Sequence, residues 1–283
     1  MRNAGLAFPD LRIQRFRRLS SLHPMKRLPE LALSILCIFA LTLSIQAREI
    51  IVVAHRGANR LAPENTFAST QKCVDLEVDY VEIDVRTSSD GVFYILHDRT
   101  LDRTTNGTGA IEERPSSYID TLDAGSWFDA AFKDERVPRL EPFLRRFKGK
   151  IKIYFDVKGA DLGKLLKLIY STGYEKDCFF WFSKDEKARE LRALDATIPL
   201  KMNATDVAGL ERVLDYNPQI IEYRLENLSP AFVAFSRKHD LKLMAHALGD
   251  GSEAWYPKIL ESAADMVNLD QADRMIDLAK QGQ

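Results

Sequence analysis

The sequence predicts an α/β fold, and three observations support this. Short runs of β-branched and aromatic residues alternate with segments of helical apolar spacing, which is typical of a parallel sheet covered by helices. Eight such runs are present, enough to close a barrel. Residues 48–283 suit one such domain, since these barrels have roughly 250 residues. We therefore predict a (β/α)₈ TIM barrel with strands at 49–55, 80–85, 152–157, 178–182, 199–204, 220–224, 242–247 and 266–269.

Helical segments are predicted between these strands. Residues 162–169 have helical apolar spacing, and Gly173 is a typical residue just past a helix end. Ser229-Pro230 has the pattern of an N-cap followed by proline at the first helical position. The predicted helices lie near 65–75, 138–148, 162–172, 185–195, 206–215, 229–239 and 253–263.

One further strand, at 92–97, interrupts the alternation. It follows the strand at 80–85 after too few residues for a parallel crossover, and Asp90-Gly91 is a hairpin turn signal. We therefore predict a β-hairpin after strand 2. If Asp90 and Gly91 occupy the turn centre, Asp84 lies roughly opposite His97.

Residues 99–137 are too many and too aromatic for a simple connection. We predict a small inserted lid segment on the face that carries the strand ends. Trp127 is a candidate pocket residue in this segment.

The first 47 residues have the pattern of a secretory signal peptide. Basic Lys26-Arg27 precedes the apolar run 31–45, and the run ends in Ser44-Ile45-Gln46-Ala47, which contains small residues suited to cleavage. The run is shorter than the roughly 20 residues of a membrane span, although an uncleaved anchor is the alternative. Met25 is a possible true start. We predict an exported protein, periplasmic or secreted, with no stable membrane span after signal cleavage.

The charge pattern does not favour nucleic acid. The net charge is −1, and removal of the basic leader leaves an acidic chain without a basic stripe. An acidic protein that binds an anionic substrate needs local positive charge, which a metal supplies. Cys73 and Cys178 are far apart in the chain, and we expect buried free thiols.

Carboxylates near two predicted strand ends indicate a metal site. Glu82 and Asp84 stand two residues apart, so both side chains point to one face of the strand, which in this barrel is the inside. Two buried carboxylates repel each other, and a hard cation with oxygen ligands satisfies both. Asp156 is the third candidate ligand. Structural ion pairs are the alternative, with Arg86 or Lys158 for Glu82 and Asp84, and with Lys152 or Lys158 for Asp156.

Two histidines and two cations complete the candidate site. Because imidazole exchanges protons near neutral pH, His55 and His97 are candidates for acid/base catalysis of phosphate ester cleavage. Arg56 can hold two phosphate oxygens with its planar fork, and Lys158 can add a point charge. For both cations the alternative is an ion pair with a nearby carboxylate.

Three more residues are candidates for the pocket. Glu222 and His246 fall near predicted strand ends, with ordinary packing inside the barrel as the alternative. Glu64 precedes a helix start, where a capping carboxylate is the alternative to a place near the metal or substrate.

Residues 49–160 contain a series of short motifs. They are His55-Arg56-Gly57, Pro63-Glu64-Asn65-Thr66, Glu82-Ile83-Asp84, Asp90-Gly91, His97-Asp98, Leu101-Asp102-Arg103-Thr104-Thr105 and Leu122-Asp123-Ala124-Gly125. In type and order these motifs resemble those of the glycerophosphodiester phosphodiesterase family. The resemblance implies a (β/α)₈ barrel with an insertion after the hairpin. It also implies hydrolysis of a small-molecule glycerophosphodiester to glycerol 3-phosphate and an alcohol, with a divalent cation, commonly Ca²⁺ or Mg²⁺.

The chain departs from the family pattern at three places. Asp156 replaces the usual glutamate, which shortens that ligand arm by one methylene. Residues 244–247 replace the family's Trp-Thr-Val-Asn, and 269–272 replace its Thr-Asp-x-Pro. We therefore expect the back of the pocket to differ from that of typical members, which affects the leaving group.

Two rival functions stay open at this point. One is a lyase of the phospholipase C or D type that acts on intact lipids and forms a cyclic phosphate. The other is a non-enzymatic protein that binds glycerophosphodiesters, against which the His55/His97 pair argues.

Overall fold

Eight parallel strands form a nearly closed barrel, which confirms the predicted fold class. The structure is a computed structural model that describes residues 50–281, so the predicted signal peptide at 1–47 lies outside the described residues. The strand order is β5-β4-β2-β1-β9-β8-β7-β6, and a parallel bridge from Phe180 to Leu200 joins β5 to β6. The strands are β1 (Ile51–Ala54), β2 (Tyr80–Thr87), β3 (Phe93–Ile95), β4 (Lys152–Val157), β5 (Cys178–Trp181), β6 (Lys201–Asn203), β7 (Ile220–Tyr223), β8 (Lys242–Ala247) and β9 (Met266–Leu269).

The predicted helices are all present, and the capping residues act as expected. The Ser229 hydroxyl accepts a hydrogen bond from the Phe232 amide, and Gly173 ends its helix in the left-handed conformation. Two helices, α2 and α9, were not predicted. The helices are α1 (Phe67–Asp75), α2 (Ser116–Ile119), α3 (Leu140–Phe147), α4 (Leu162–Thr172), α5 (Asp185–Leu194), α6 (Val207–Val213), α7 (Pro230–Lys238), α8 (Tyr256–Glu261) and α9 (Ala272–Gln281). Within residues 50–281, no helix combines the length and apolar character that a membrane crossing requires.

The apolar core has two layers, as expected for a barrel whose interior is filled by side chains. The large layer lies between the strands and the helices. It contains Cys73 and Cys178, which are free and buried as predicted. The small layer fills the barrel interior with Val53, Tyr154, Phe179, Ile220, Met244 and Met266. Apolar side chains therefore fill this part of the barrel interior.

The hairpin of β2 and β3 is confirmed, but its register is one residue from the prediction. Val85 pairs with Ile95, and the Leu96 amide donates to the Asp84 carbonyl at 3.0 Å, so Leu96 rather than His97 lies opposite Asp84. The reason is a three-residue loop between Ser88 and Val92, with Gly91 at φ +84°. This loop type contains one residue more than the predicted two-residue turn.

The segment 99–137 folds around a small core of its own. Its apolar side chains pack with those of β3 and form a cluster of Tyr94, Leu96, Leu101, Ile111, Ile119, Leu122, Ala124 and Val137. The segment reaches the barrel mouth through Arg103, which pairs with Glu64 and Asp98. Trp127 is 41% exposed and packs edge-to-face on Phe128. It does not line the main cavity described below, and its role as a pocket residue stays a prediction.

Gly57, in the turn after β1, has no room for a side chain. Its φ is +82°, and an added Cβ would lie 2.5 Å from Ser69 Oγ. We expect Gly57→Ala to lower the free energy of unfolding by about 1–3 kcal/mol, measured by urea denaturation. Gly159→Ala is the control, because nothing lies within 4 Å of its added Cβ. Equal stability of the two variants would contradict the expectation.

Candidate active site

Three predicted metal ligands meet at the mouth of the barrel. Glu82, Asp84 and Asp156 are buried, and each offers a carboxylate oxygen within 4.8 Å of the other two. The parallel register of β2 and β4 places Asp84 directly beside Asp156. The sequence spacing and the strand pairing together therefore concentrate three acids on one small surface.

The protein only partly compensates these acids. Lys158 Nζ lies 2.6 Å from Asp156 and 3.3 Å from Asp84, so the predicted ion-pair alternative is present for this residue. Arg86 instead donates to the His97 carbonyl. Asp156 Oδ1 is buried without a hydrogen-bond partner among the described residues, and the buried Asp84 Oδ1 makes no hydrogen bond there beyond its ion pair with Lys158. Such atoms are expected where an ion completes the site.

Protonation equilibria show the same shortage of positive charge. Burial, followed by repulsion from Asp84 and Asp156, raises the pKa of Glu82 well above its ordinary value. Burial and the charge of Asp84 raise the pKa of Asp156 to about 6. The donor set therefore fits a hard divalent cation, which would relieve both effects.

The turns around these acids hold unusual backbone conformations. Arg56 and Asn65 have φ angles of 55° and 58°, which side-chain-bearing residues seldom adopt. The Arg56 amide donates to Glu82 at 2.7 Å, and the Asn65 side chain donates to Asp84 at 2.7 Å. Strained residues of this kind cluster at functional sites, because surrounding contacts hold them there.

His55 lines the main cavity and is oriented by an aspartate from the last strand. Its Nδ1 lies 2.7 Å from Asp270 Oδ1, which leaves Nε2 as the nitrogen available for proton transfer. Asp270 also accepts from the Asn59 side chain at 2.6 Å and from the Gly249 amide at 2.8 Å. Burial is the largest single effect and opposes its ionisation, but the hydrogen bond and charge interaction with His55, together with the donors from Gly249 and Asn59, more than offset it and lower the pKa of Asp270.

We expect Asp270→Asn to lower kcat about tenfold to a hundredfold, as found for groups that orient a catalytic side chain. The amide keeps the shape but no longer favours the tautomer with a proton on Nδ1 of His55. ¹⁵N NMR of the His55 ring nitrogens would show the tautomer change, which a purely structural role would not produce. An unchanged tautomer population together with unchanged kcat would contradict this assignment.

His97 lies beside the cluster, although it does not line the main cavity. Its Nδ1 is 2.7 Å from Asp98 Oδ1, and Arg103 holds Asp98 at 2.6 Å. Burial lowers the pKa of His97, while the nearby charge of Asp84 acts in the opposite direction. Each candidate catalytic histidine is therefore paired through Nδ1 with its own carboxylate.

Glu64 belongs to the site and does not cap the helix that follows it. The N-cap of α1 is Thr66, which forms a capping box with Ser69. Glu64 instead bridges two guanidinium groups, those of Arg56 at 3.2 Å and Arg103 at 2.8 Å. It ties the predicted phosphate-binding arginine to the inserted segment.

A cavity of about 290 Å³ extends from these residues across the barrel mouth. His55, Glu82, Asp156 and Lys158 line one end. The other end contains the predicted pocket residues Glu222 and His246, together with Lys201 and Asn268. Both Glu222 and His246 line this cavity, although Glu222 is itself buried, and their role as pocket residues stays a prediction.

Known proteins resemble this chain in sequence and in fold. Residues 55–183 match the glycerophosphoryl diester phosphodiesterase family. A crystal structure of glycerophosphodiester phosphodiesterase from Agrobacterium tumefaciens is 38% identical, and the alignment covers 81% of this chain and all of that chain, with a TM-score of 0.75. The chain belongs to the glycerophosphodiester phosphodiesterase family.

Other members of the family are similar over different lengths. A glycerophosphodiester phosphodiesterase from Caldanaerobacter subterraneus is 26% identical over 82% of this chain and 98% of its own length. The putative glycerophosphodiester phosphodiesterase YhdW of Bacillus subtilis is 42% identical over 108 residues, and the chain spans only 44% of its length. A phosphodiesterase from Oleispira antarctica, solved with sn-glycerol-3-phosphate, is 25% identical with a TM-score of 0.73.

Sequence reasoning missed several residues of this family member's site. Asp270 could have been found, because β9 pairs with β1 and the residues after both strands must then be neighbours. Lys201 gave no signal, since a lysine in a predicted strand is normally exposed. The missed residues are Asn59, Asn65, Asp98, Arg103, Lys201, Asn268 and Asp270.

Proposed function

We propose that this protein hydrolyses glycerophosphodiesters to glycerol 3-phosphate and an alcohol, in a metal-dependent reaction. The observation that carries the proposal is the buried cluster of Glu82, Asp84 and Asp156 at the end of a cavity that His55 also lines. The Oleispira phosphodiesterase, described with the product sn-glycerol-3-phosphate, supports the same substrate class.

Glu82, Asp84 and Asp156 would hold Ca²⁺ or Mg²⁺, both of which prefer oxygen ligands. The bound ion would offset negative charge on the phosphate oxygens. Lys158 already spans Asp84 and Asp156, so it is placed to add a second positive charge beside the phosphate. Arg56 Nε is buried without a hydrogen-bond partner among the described residues and lies 3.7 Å from Asp84 Oδ2, so the predicted ion-pair alternative is present for Arg56 as well; its fork also suits an incoming phosphate.

His55 and His97 would carry out the proton transfers. One imidazole takes the proton of the attacking hydroxyl, and the other gives a proton to the departing alkoxide. Asp270 and Asp98 hold the two rings through Nδ1, so each ring presents Nε2 to the substrate. The attacking hydroxyl is either water or the glycerol 2-hydroxyl, which would give a cyclic phosphate that water then opens.

Product analysis by ³¹P NMR tests the proposal. Wild-type protein is incubated with glycerophosphoglycerol in the presence of Ca²⁺, Mg²⁺ or a chelator. We expect glycerol 3-phosphate with a cation and no turnover without one. A persistent cyclic phosphate would indicate the lyase rival, whereas calorimetric binding without any product would indicate the non-enzymatic binder.

We also propose that the protein is exported, on the basis of the basic and apolar pattern in residues 26–47. Expression of the full chain in a Gram-negative host should give a shortened protein in the periplasmic fraction. N-terminal sequencing should then begin near residue 48. Recovery of the full-length chain in the cytosol would contradict this proposal.

A further inference from the structure

The end of the cavity remote from the acidic cluster contains one buried ion pair. Lys201 is 1% exposed and binds Glu222 Oε2. Glu222 Oε1 lies 3.1 Å from His246 Nδ1 and 3.2 Å from Asn268 Nδ2. Each oxygen of this carboxylate therefore already contacts a group of the protein, and Lys201 balances the charge of Glu222, which weakens its attraction for a cationic group of the substrate.

The aromatic rings at this end also carry cations of the protein itself. Lys201 Nζ lies 4.5 Å from the ring centre of Trp181 and 5.4 Å from that of Tyr154. Lys158 Nζ is 5.5 Å from the same Trp181 ring, and Tyr154 stacks on Phe179. Quaternary ammonium groups are recognised by open aromatic faces. Here two lysines and a stacked phenylalanine already lie against the rings of Trp181 and Tyr154, which disfavours a choline headgroup at these two rings.

Arg224 is a cation at this end of the cavity that forms no ion pair with the described residues. It is exposed, and within residues 50–281 its guanidinium has no carboxylate within ion-pair distance. It lines both the main cavity and a second cavity of about 270 Å³, which also share His246 and Leu248. A substituent that extends from the first cavity toward the second would therefore meet Arg224.

Neither acid of the second cavity, Glu226 or Asp250, forms an ion pair with Arg224 within residues 50–281. Asp250 is paired with Arg60 at 2.5 Å. Glu226 is exposed and lines only the second cavity, not the main one. The outer part of the main cavity thus contains the guanidinium of Arg224, which is unpaired among the described residues. It lies next to the ion pair of Lys201 and Glu222, whose charges balance.

We propose that Arg224 forms an anion-binding subsite, and that the enzyme prefers glycerophosphodiesters whose alcohol part carries a second anionic group. The planar fork of arginine binds phosphate or carboxylate oxygens through two parallel hydrogen bonds. The inference rests on the proposed function, since it names the substrate class of the same site.

Three substrates and three proteins test the subsite. Bis(glycerophospho)glycerol carries a second phosphate, glycerophosphoglycerol is its match without that phosphate, and glycerophosphocholine carries a cation. For wild type we expect kcat/KM to be about tenfold higher for bis(glycerophospho)glycerol than for glycerophosphoglycerol, given the strength of charged hydrogen bonds. It should be lowest for glycerophosphocholine. Arg224→Gln should remove the tenfold preference and leave glycerophosphoglycerol within about twofold. Glu226→Gln, the control, should keep or increase the preference.

The outcomes separate this inference from the proposed function. If no diester is hydrolysed with either cation, the proposed function fails. If all three are hydrolysed at similar rates, or if Arg224→Gln keeps the preference for the second phosphate, only the subsite is overturned. A wild-type enzyme that prefers glycerophosphocholine would likewise overturn it.

Discussion

Replacement of His97 with alanine is expected to lower kcat at least a hundredfold, and His55→Ala should have an effect of the same order. Acid and base groups contribute about 10²–10⁴ to such rates. Both rings are fixed through Nδ1 by a carboxylate at 2.7 Å, so each presents one nitrogen in a defined direction. Loss of either ring should leave substrate binding by Arg56 and Lys158 largely in place, so KM should change much less than kcat.

The control for these variants is His239→Ala. His239 is exposed at the end of α7 and remote in the fold from the barrel mouth, so its removal should leave kcat within about twofold. The pH dependence of kcat provides a second readout. The wild-type profile should be bell-shaped, with kcat falling on both the acidic and the basic side, and each single variant should lose the fall on one side. A His97→Ala enzyme that retains more than a tenth of the wild-type kcat would rule out its role in proton transfer.

Removal of the divalent cation should abolish activity and lower the thermal stability of the protein. A ligand that binds only the folded state stabilises it by about 2.7 kcal/mol at a hundredfold excess over Kd. Glu82→Gln should abolish this cation-dependent shift in Tm. In chelator, however, the variant should be at least as stable as wild type, because it removes one of three buried carboxylates that repel each other.

The matched control for the cation experiment is Glu211→Gln on α6. Glu211 is exposed, and its substitution leaves the acidic cluster unchanged. Its Tm should rise on addition of Ca²⁺ or Mg²⁺ as much as that of wild type. If Glu82→Gln shows the same rise as the control, the cation binds elsewhere and the proposed site is wrong.

Local sequence patterns were sufficient for most of the fold. Strands and helices were predictable because the apolar spacing of each segment reflects which of its faces is buried. The acidic pair Glu82 and Asp84 was predictable for the same reason, since residues two apart on a strand share a face. The hairpin shows the limit, because Gly91 adopts a left-handed conformation that lengthens the loop by one residue and shifts the register.

Contacts between distant segments required the folded chain. Asp270 stands 215 residues from His55, and Glu222 stands 21 residues from Lys201. No local pattern marks either pair, because each forms only when neighbouring strands bring their ends together. The meeting of Arg56, Glu64 and Arg103 similarly depends on how the inserted segment packs beside β3.

By itself the sequence determined the barrel, the family and the residues proposed to bind a cation or transfer protons, because these depend on residue type and short spacing. Only the tertiary structure decided which carboxylate lies against each histidine, which acids stay uncompensated and which cation of the cavity has no carboxylate partner among the described residues. Those properties depend on distances across the barrel mouth, and such distances are set by strand register and packing rather than by neighbours in the chain.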